Sequence, residues 1–166
     1  MKNKYEDLYN ELVLYGESII TSKEFALAWE QPHHFNTSLG EHILKVAYES
    51  LAICRSLEGH GILVNTQAVV RGALCHDLGM IGRTEKFANN RECCHQHPID
   101  SVKIASRILP ELDEKTQKII RRHMWPLSLH PPGSREEWIV VLADKYVSMR
   151  ELFERRRAFE GIFHRG

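Results

Sequence analysis

Four residues combine cation-binding chemistry with inward-pointing helical positions: His42, His76, Asp77 and Asp144. His42 stands one turn after Leu39 and one turn before Val46, so it shares the apolar side of its segment. His76 lies on the same side as Val69 and Ala73, and Asp77 is beside it near the end of that segment. Asp144 is one turn from Val140 and Val141, in WIVVLADKY. A buried carboxylate is costly without a cation or a hydrogen-bonding partner, and neutral imidazole is a common metal ligand. A single such histidine reads as a satisfied core residue. A His-Asp doublet with a histidine upstream and an aspartate downstream, on three helices, reads as a divalent-metal site. Mixed imidazole and carboxylate ligands suit manganese, iron, cobalt, nickel or zinc, whereas magnesium prefers more oxygen.

Helical spacing recurs along the chain, and no stretch alternates as a half-buried strand does over useful length. The pattern predicts helices over 4–16 and 22–31, the second ended by Pro32. Ser38 followed by Glu41 forms a capping box that opens a long helix, with the apolar stripe Leu39, Ile43, Val46, Ala47, Leu51 and Cys54. Gly59 and Gly61 stop it. A further helix is expected over 65–78, then a polar stretch up to Pro98, where the next helix is expected to begin. Its buried side would be Ile99, Val102, Ala105 and Ile108, and Pro110 breaks it. Residues 112–124 form another helix. Ser134 with Glu137 caps the last, which has Trp138, Val141, Leu142, Lys145, Met149 and Leu152 along one side. There is no internal repeat or dividing linker, so one all-α domain over 1–166 is expected.

The ordered set His42, His76-Asp77 and Asp144 resembles the HD domain superfamily of metal-dependent phosphohydrolases, with a match over about residues 33–150. GALCHDLGMIG resembles that family's doublet segment, TSLGEHILKVAYES its first-histidine helix, and LADKY its final aspartate helix. QHP and HMWPL also resemble segments of small bacterial HD proteins. The resemblance implies a compact helical HD fold, with one or two transition-metal ions as cofactor. His42, His76, Asp77 and Asp144 would hold the first ion, and Asp77, His97 and His123 the second. With only one metal, His97 and His123 would instead support the first site, contact phosphate or donate a proton.

The implied reaction is attack of metal-activated water on a phosphomonoester or phosphodiester of a nucleotide or other small metabolite. Asp77, His97 and His123 would be its catalytic residues. Several HD enzymes have a lysine three residues after the doublet's aspartate, where this chain has Met80. Arg83, Lys86 or Lys145 is expected to supply the phosphate-binding charge, Arg83 first among them. His33 and His34 are expected at the pocket rim. A di-iron HD oxygenase and a non-catalytic metal- or nucleotide-binding regulator are the competing readings.

Composition narrows the partners. Lysine plus arginine and aspartate plus glutamate are 22 each, and 43% of residues are hydrophobic. Zero net charge argues against a polyanionic partner such as nucleic acid. Arg155, Arg156 and Arg157, flanked by Glu151, Glu154 and Glu160, read as a solvated helix face. No apolar run is long enough to span a bilayer and no signal peptide is evident, so a cytoplasmic protein is expected. The four cysteines have no knuckle spacing; Cys54 and Cys75 read as small core residues. Phe153, Phe159, Ile162 and Phe163 make the C-terminal segment apolar, which suits either packing on the core or a homodimer contact.

Overall fold

The computed structural model describes the backbone of residues 4–34 and 37–163 and the side chains of 6–33 and 37–154. The fold is all-α. In chain order the helices are α1 (Lys4–Ile20), α2 (Lys23–Glu30), α3 (Leu39–Gly59), α4 (Thr66–Cys75), α5 (Arg83–Lys86), α6 (Asn90–Ile108), α7 (Glu114–Arg122) and α8 (Arg135–Phe163). A 3-10 turn, Leu78–Met80, follows α4. A short antiparallel pair, β1 (Pro32–His34) and β2 (Thr37–Ser38), precedes α3. Among the described residues, no helix is long and apolar enough to cross a membrane.

The helix starts follow local hydrogen-bonding chemistry. Ser38 Oγ accepts from Glu41 N at 3.1 Å and opens α3. All of the expected α3 stripe, from Leu39 to Cys54, is buried. Ser134 and Glu137 cap α8 reciprocally: Ser134 Oγ accepts from Glu137 N and donates to Glu137 Oε1. The core joins these apolar faces of α1, α2, α3, α4, α7 and α8 in one buried cluster.

The fold departs from the expected boundaries at instructive places. α1 continues past Gly16 to Ile20, and the glycine lies where a Cβ would meet Leu74 Cδ1 at 2.2 Å. Tertiary packing there outweighs the helix-weakening effect of glycine. α6 begins at Asn90, well before Pro98, which sits inside the helix. Asn89 Oδ1 accepts from Glu92 N at 2.9 Å, and Glu92 Oε2 accepts from Ala88 N at 2.8 Å. This cap starts a polar first turn that lacks the apolar periodicity used to find helices. α4 stops at Cys75, short of residue 78.

α8 shows a different kind of departure. Its core face is Ile139, Val140, Ala143, Asp144, Val147 and Glu151. Of the side expected from sequence, Val141 is buried, whereas Trp138, Leu142, Met149 and Leu152 are exposed. Both sides of this helix have apolar residues at helical spacing, so periodicity alone does not tell which one meets the core.

Candidate metal centre

The site forms where α3, the α4 end, α6, the α7 end and α8 converge. His42 comes from α3, His76 from the C-cap of α4, His97 from mid-α6, His123 from the C-cap of α7 and Asp144 from α8. Asp77 occupies the break between α4 and the 3-10 turn, with φ −111° and ψ 5°. Neighbours on a continuous α-helix diverge by about 100°. The break lets His76 and Asp77 aim at one centre.

Close approach of α6 depends on Gly79. A Cβ at this position would lie 2.1 Å from the His97 carbonyl oxygen and 2.8 Å from Ser101 N. Gly79 N donates to Ser101 Oγ at 2.8 Å, pinning the 3-10 turn to α6. The absent side chain thus brings His97 alongside Asp77.

The two oxygens of Asp77 face two different sets of imidazoles. Oδ1 lies 3.1 Å from His97 Nε2 and 3.2 Å from His123 Nε2. Oδ2 lies 3.5 Å from His76 Nε2 and 3.9 Å from His42 Nε2. Asp144 Oδ1 closes the second set, 3.3 Å from His42 Nε2 and 3.9 Å from His76 Nε2. Ligands around a transition-metal ion, each about 2.0–2.2 Å from it, sit roughly 3–3.5 Å from one another. His42, His76 and Asp144 form one grouping of potential ligand atoms within 4.8 Å, and His76, Asp77 and His123 another.

The imidazole hydrogens fix the chemistry further. Nδ1 of His76, His97 and His123 each lies 2.7 Å from a backbone carbonyl, of Ala73, Cys93 and Ile120 respectively. A carbonyl only accepts, so each Nδ1 carries the hydrogen and donates it. Each Nε2 is then left to face the centre. His76 Nε2 is fully buried without a hydrogen-bond partner. Burial pushes the His76 pKa down to about 4, so this nitrogen is a lone-pair donor with nothing to receive it. His97 Nε2 and His123 Nε2 are 3.0 Å apart. Two lone pairs repel at that distance unless a proton or a cation comes between them. This donor set fits divalent transition metals.

Residues 39–149 match the family described as HD domain. The chain belongs to the HD domain family. A solved structure of a conserved hypothetical protein from Pyrococcus furiosus is similar to this HD chain, with TM-score 0.51 and 18% sequence identity. The similarity covers 90% of this chain and 82% of that one, and at this identity it is a likeness of fold alone. No curated protein matches the chain significantly.

Around the HD residues, electrostatics favours protons wherever a cation is lacking. Burial pulls His42 down, but Asp144, Glu151 and Asp77 outweigh it and raise the pKa to about 10. His97 follows the same balance, with burial opposed by Asp77 and by the side chain and carbonyl of Cys93, and is also raised to about 10. Burial favours the neutral acid at Asp77, yet the His76, His123 and His97 imidazoles hold its pKa well below the ordinary range.

A cavity of about 410 Å³ opens above the ligands. His33 lines it, with its ring centroid 4.5 Å from that of His42. His33 also forms a potential ligand grouping with His42 and Asp77. Arg83 lines the wall and donates to Asn90 Oδ1 at 2.9 Å. Lys145 lines it too, 2.7 Å from Asp144 Oδ2. Met80 and Met124 provide apolar surface. Lys86 is not among the lining residues; its ammonium donates to the Gly79 carbonyl at 2.8 Å. The side chains of His34 and of Arg155, Arg156 and Arg157 lie outside those described.

One residue of the site escaped sequence reasoning. Glu151 is buried, and its Oε2 accepts from His42 Nδ1 at 3.1 Å. Its Oε1 meets Lys45 Nζ at 3.4 Å. The contact orients the His42 ring so that Nε2 faces Asp144. Glu151 follows Asp144 by two turns of one helix face, and that spacing was the available signal.

Proposed function

We propose that this HD protein is a metal-dependent phosphohydrolase acting on a phosphomonoester or phosphodiester of a nucleotide or other small metabolite. The observation supporting it is the split of Asp77, one oxygen toward His97 and His123 and the other toward His42 and His76. His42, His76, Asp77 and Asp144 would hold one ion, and Asp77, His97 and His123 a second. Divalent ions there supply charge neutralisation for a phosphate and acidify water to the point of nucleophilicity near neutral pH.

The chain's own groups do the rest. Glu151 and the Ala73, Cys93 and Ile120 carbonyls hold the imidazoles in one orientation, so no reorganisation is needed on substrate arrival. Arg83 and Lys145 offer hydrogen-bond donors to phosphate oxygens at the cavity wall, in place of the lysine that Met80 replaces. Met80 and Met124 offer adaptable apolar contact to the remainder of the ester. A cavity of about 410 Å³ suits a small metabolite.

The test is turnover of a panel of phosphomonoesters and phosphodiesters by protein loaded with manganese, cobalt, iron or zinc, beside Asp77→Asn. Wild-type turnover and its loss by at least a hundredfold in D77N, with helical content unchanged, is the expected result. Metal binding without turnover on any ester would replace the hydrolase reading with a regulatory one.

A further inference from the structure

We infer that the outward face of α8 is the contact between two copies of this chain, packed antiparallel about a twofold axis. This face is opposite the one that holds Asp144 and Glu151, and its occupant is independent of the reaction at the metal centre.

Trp138, Leu142, Tyr146, Met149 and Phe153 recur every three or four residues along α8, which is the spacing of a single helical stripe. Leu152 flanks them. They are exposed by 37%, 57%, 48%, 56%, 59% and 51% respectively. The stripe is about 22 Å long. Its exposed area is roughly 600 Å², at the top of the range for the largest apolar patch on a typical monomer. Two such faces brought together would bury at most roughly 1,200 Å², the lower end of the standard range for a specific interface.

The arrangement of side chains favours a second copy. Reversing the stripe about a point beside Tyr146 sets Trp138 against the partner's Phe153, and Leu142 against the partner's Met149. Aromatic residues then meet at both ends, Leu142 and Met149 meet on either side of the centre, and the two Tyr146 side chains lie beside the axis, as a self-complementary contact requires. The charged residues Lys145 and Arg150 beside the stripe are both turned along their own chain, Lys145 to Asp144 at 2.7 Å. Arg150 stacks over Tyr146, 5.7 Å from the ring centroid, and pairs with Glu49 at 3.4 Å. Trp125 packs edge-on against Trp138, with centroids 5.1 Å apart, and fixes the first anchor of the stripe. Rigid aromatic anchors lose little entropy on association.

Sedimentation equilibrium and light scattering of the full chain at tens of micromolar test the inference. Wild type is expected at twice the chain mass of 19.3 kDa. The double variant Leu142→Glu/Met149→Glu is expected at the single-chain mass, with circular dichroism and metal content unchanged. Leu63→Glu, a change at another exposed leucine, should leave the dimer intact. A second readout does not depend on the charged variant folding. Under mild oxidation Leu142→Cys/Met149→Cys should form a covalent dimer, whereas either single cysteine variant should behave like wild type. A wild-type monomer throughout the concentration range would overturn the inference. So would a dimer that survives the double glutamate variant, or cross-linking by a single cysteine variant alone.

Discussion

Asp77 is the residue on which both halves of the site depend, and its neighbours separate the two. His97 and His123 address only its Oδ1, while His42 and Asp144 belong to the other set. Replacing His97 by alanine should therefore lower bound transition metal by about one ion per chain and leave the other in place. Elemental analysis of protein purified without chelator reads this directly; an unchanged content in H97A would assign His97 a supporting role. Glu151 acts one contact away. Its change to glutamine keeps the shape and removes the charge that meets His42 Nδ1. Loss of such a partner typically weakens metal affinity by about 10–100-fold. Titration calorimetry on E151Q should show that loss with helicity preserved, and an affinity within twofold of wild type would mean that packing alone orients His42. At this scale the sequence was informative wherever a polar residue interrupted an apolar stripe, as His42 and Asp144 do. It misplaced Glu151, which reads with Glu154 and Glu160 as part of a solvated, charged helix face but is buried against His42.

At the scale of elements, the site depends on where helices stop and how closely they approach. The break after Cys75 turns Asp77 toward His76's partners, and no propensity in GALCHDLG marks it, because the cause is tertiary. The α6 start was encoded locally by Asn89 and Glu92, but its first turn is too polar for a periodicity search to register. Periodicity did reveal the α3 stripe and both capping boxes, since burial on one face and cap chemistry are local properties. Gly79 is the sharpest element-scale test. In Gly79→Ala the new methyl would meet the His97 carbonyl and Ser101 N, both of them backbone atoms that cannot rotate aside. α6 must then move off the 3-10 turn and take His97 away from Asp77. Overpacking of this kind costs about 1–3 kcal/mol. The expected result is a lower midpoint in thermal unfolding together with weaker binding of the second ion. A variant with full metal content and an unchanged midpoint would show that the turn and α6 are not tightly coupled.

For the whole molecule, the candidate metal centre is also a store of stability, because the chain buries Asp77, Asp144 and Glu151 against His42, His76, His97 and His123 in its interior. Without a cation, protons must balance those carboxylates. Burial opposes this at His42 and His97, but the carboxylates prevail and raise both from the ordinary 6.5 to about 10. A histidine whose folded pKa is raised contributes stability that is fully present below its unfolded value. That contribution is lost as pH climbs through the folded one. The metal-free protein should therefore weaken progressively between about pH 6.5 and 10. The metal-loaded protein has no such protons to lose, and its affinity for the ion rises over the same window as the ligands deprotonate. Bound ion adds stability that grows with the logarithm of its concentration over its dissociation constant, about 2.7 kcal/mol at a hundredfold excess. The two trends add. The difference in melting temperature between metal-saturated and chelator-treated protein should widen from about pH 6.5 to about pH 9.5, measured by differential scanning fluorimetry at fixed free metal. A difference that stays constant or narrows would mean that the buried imidazoles do not exchange protons for a cation, and would count against the metal centre as a whole.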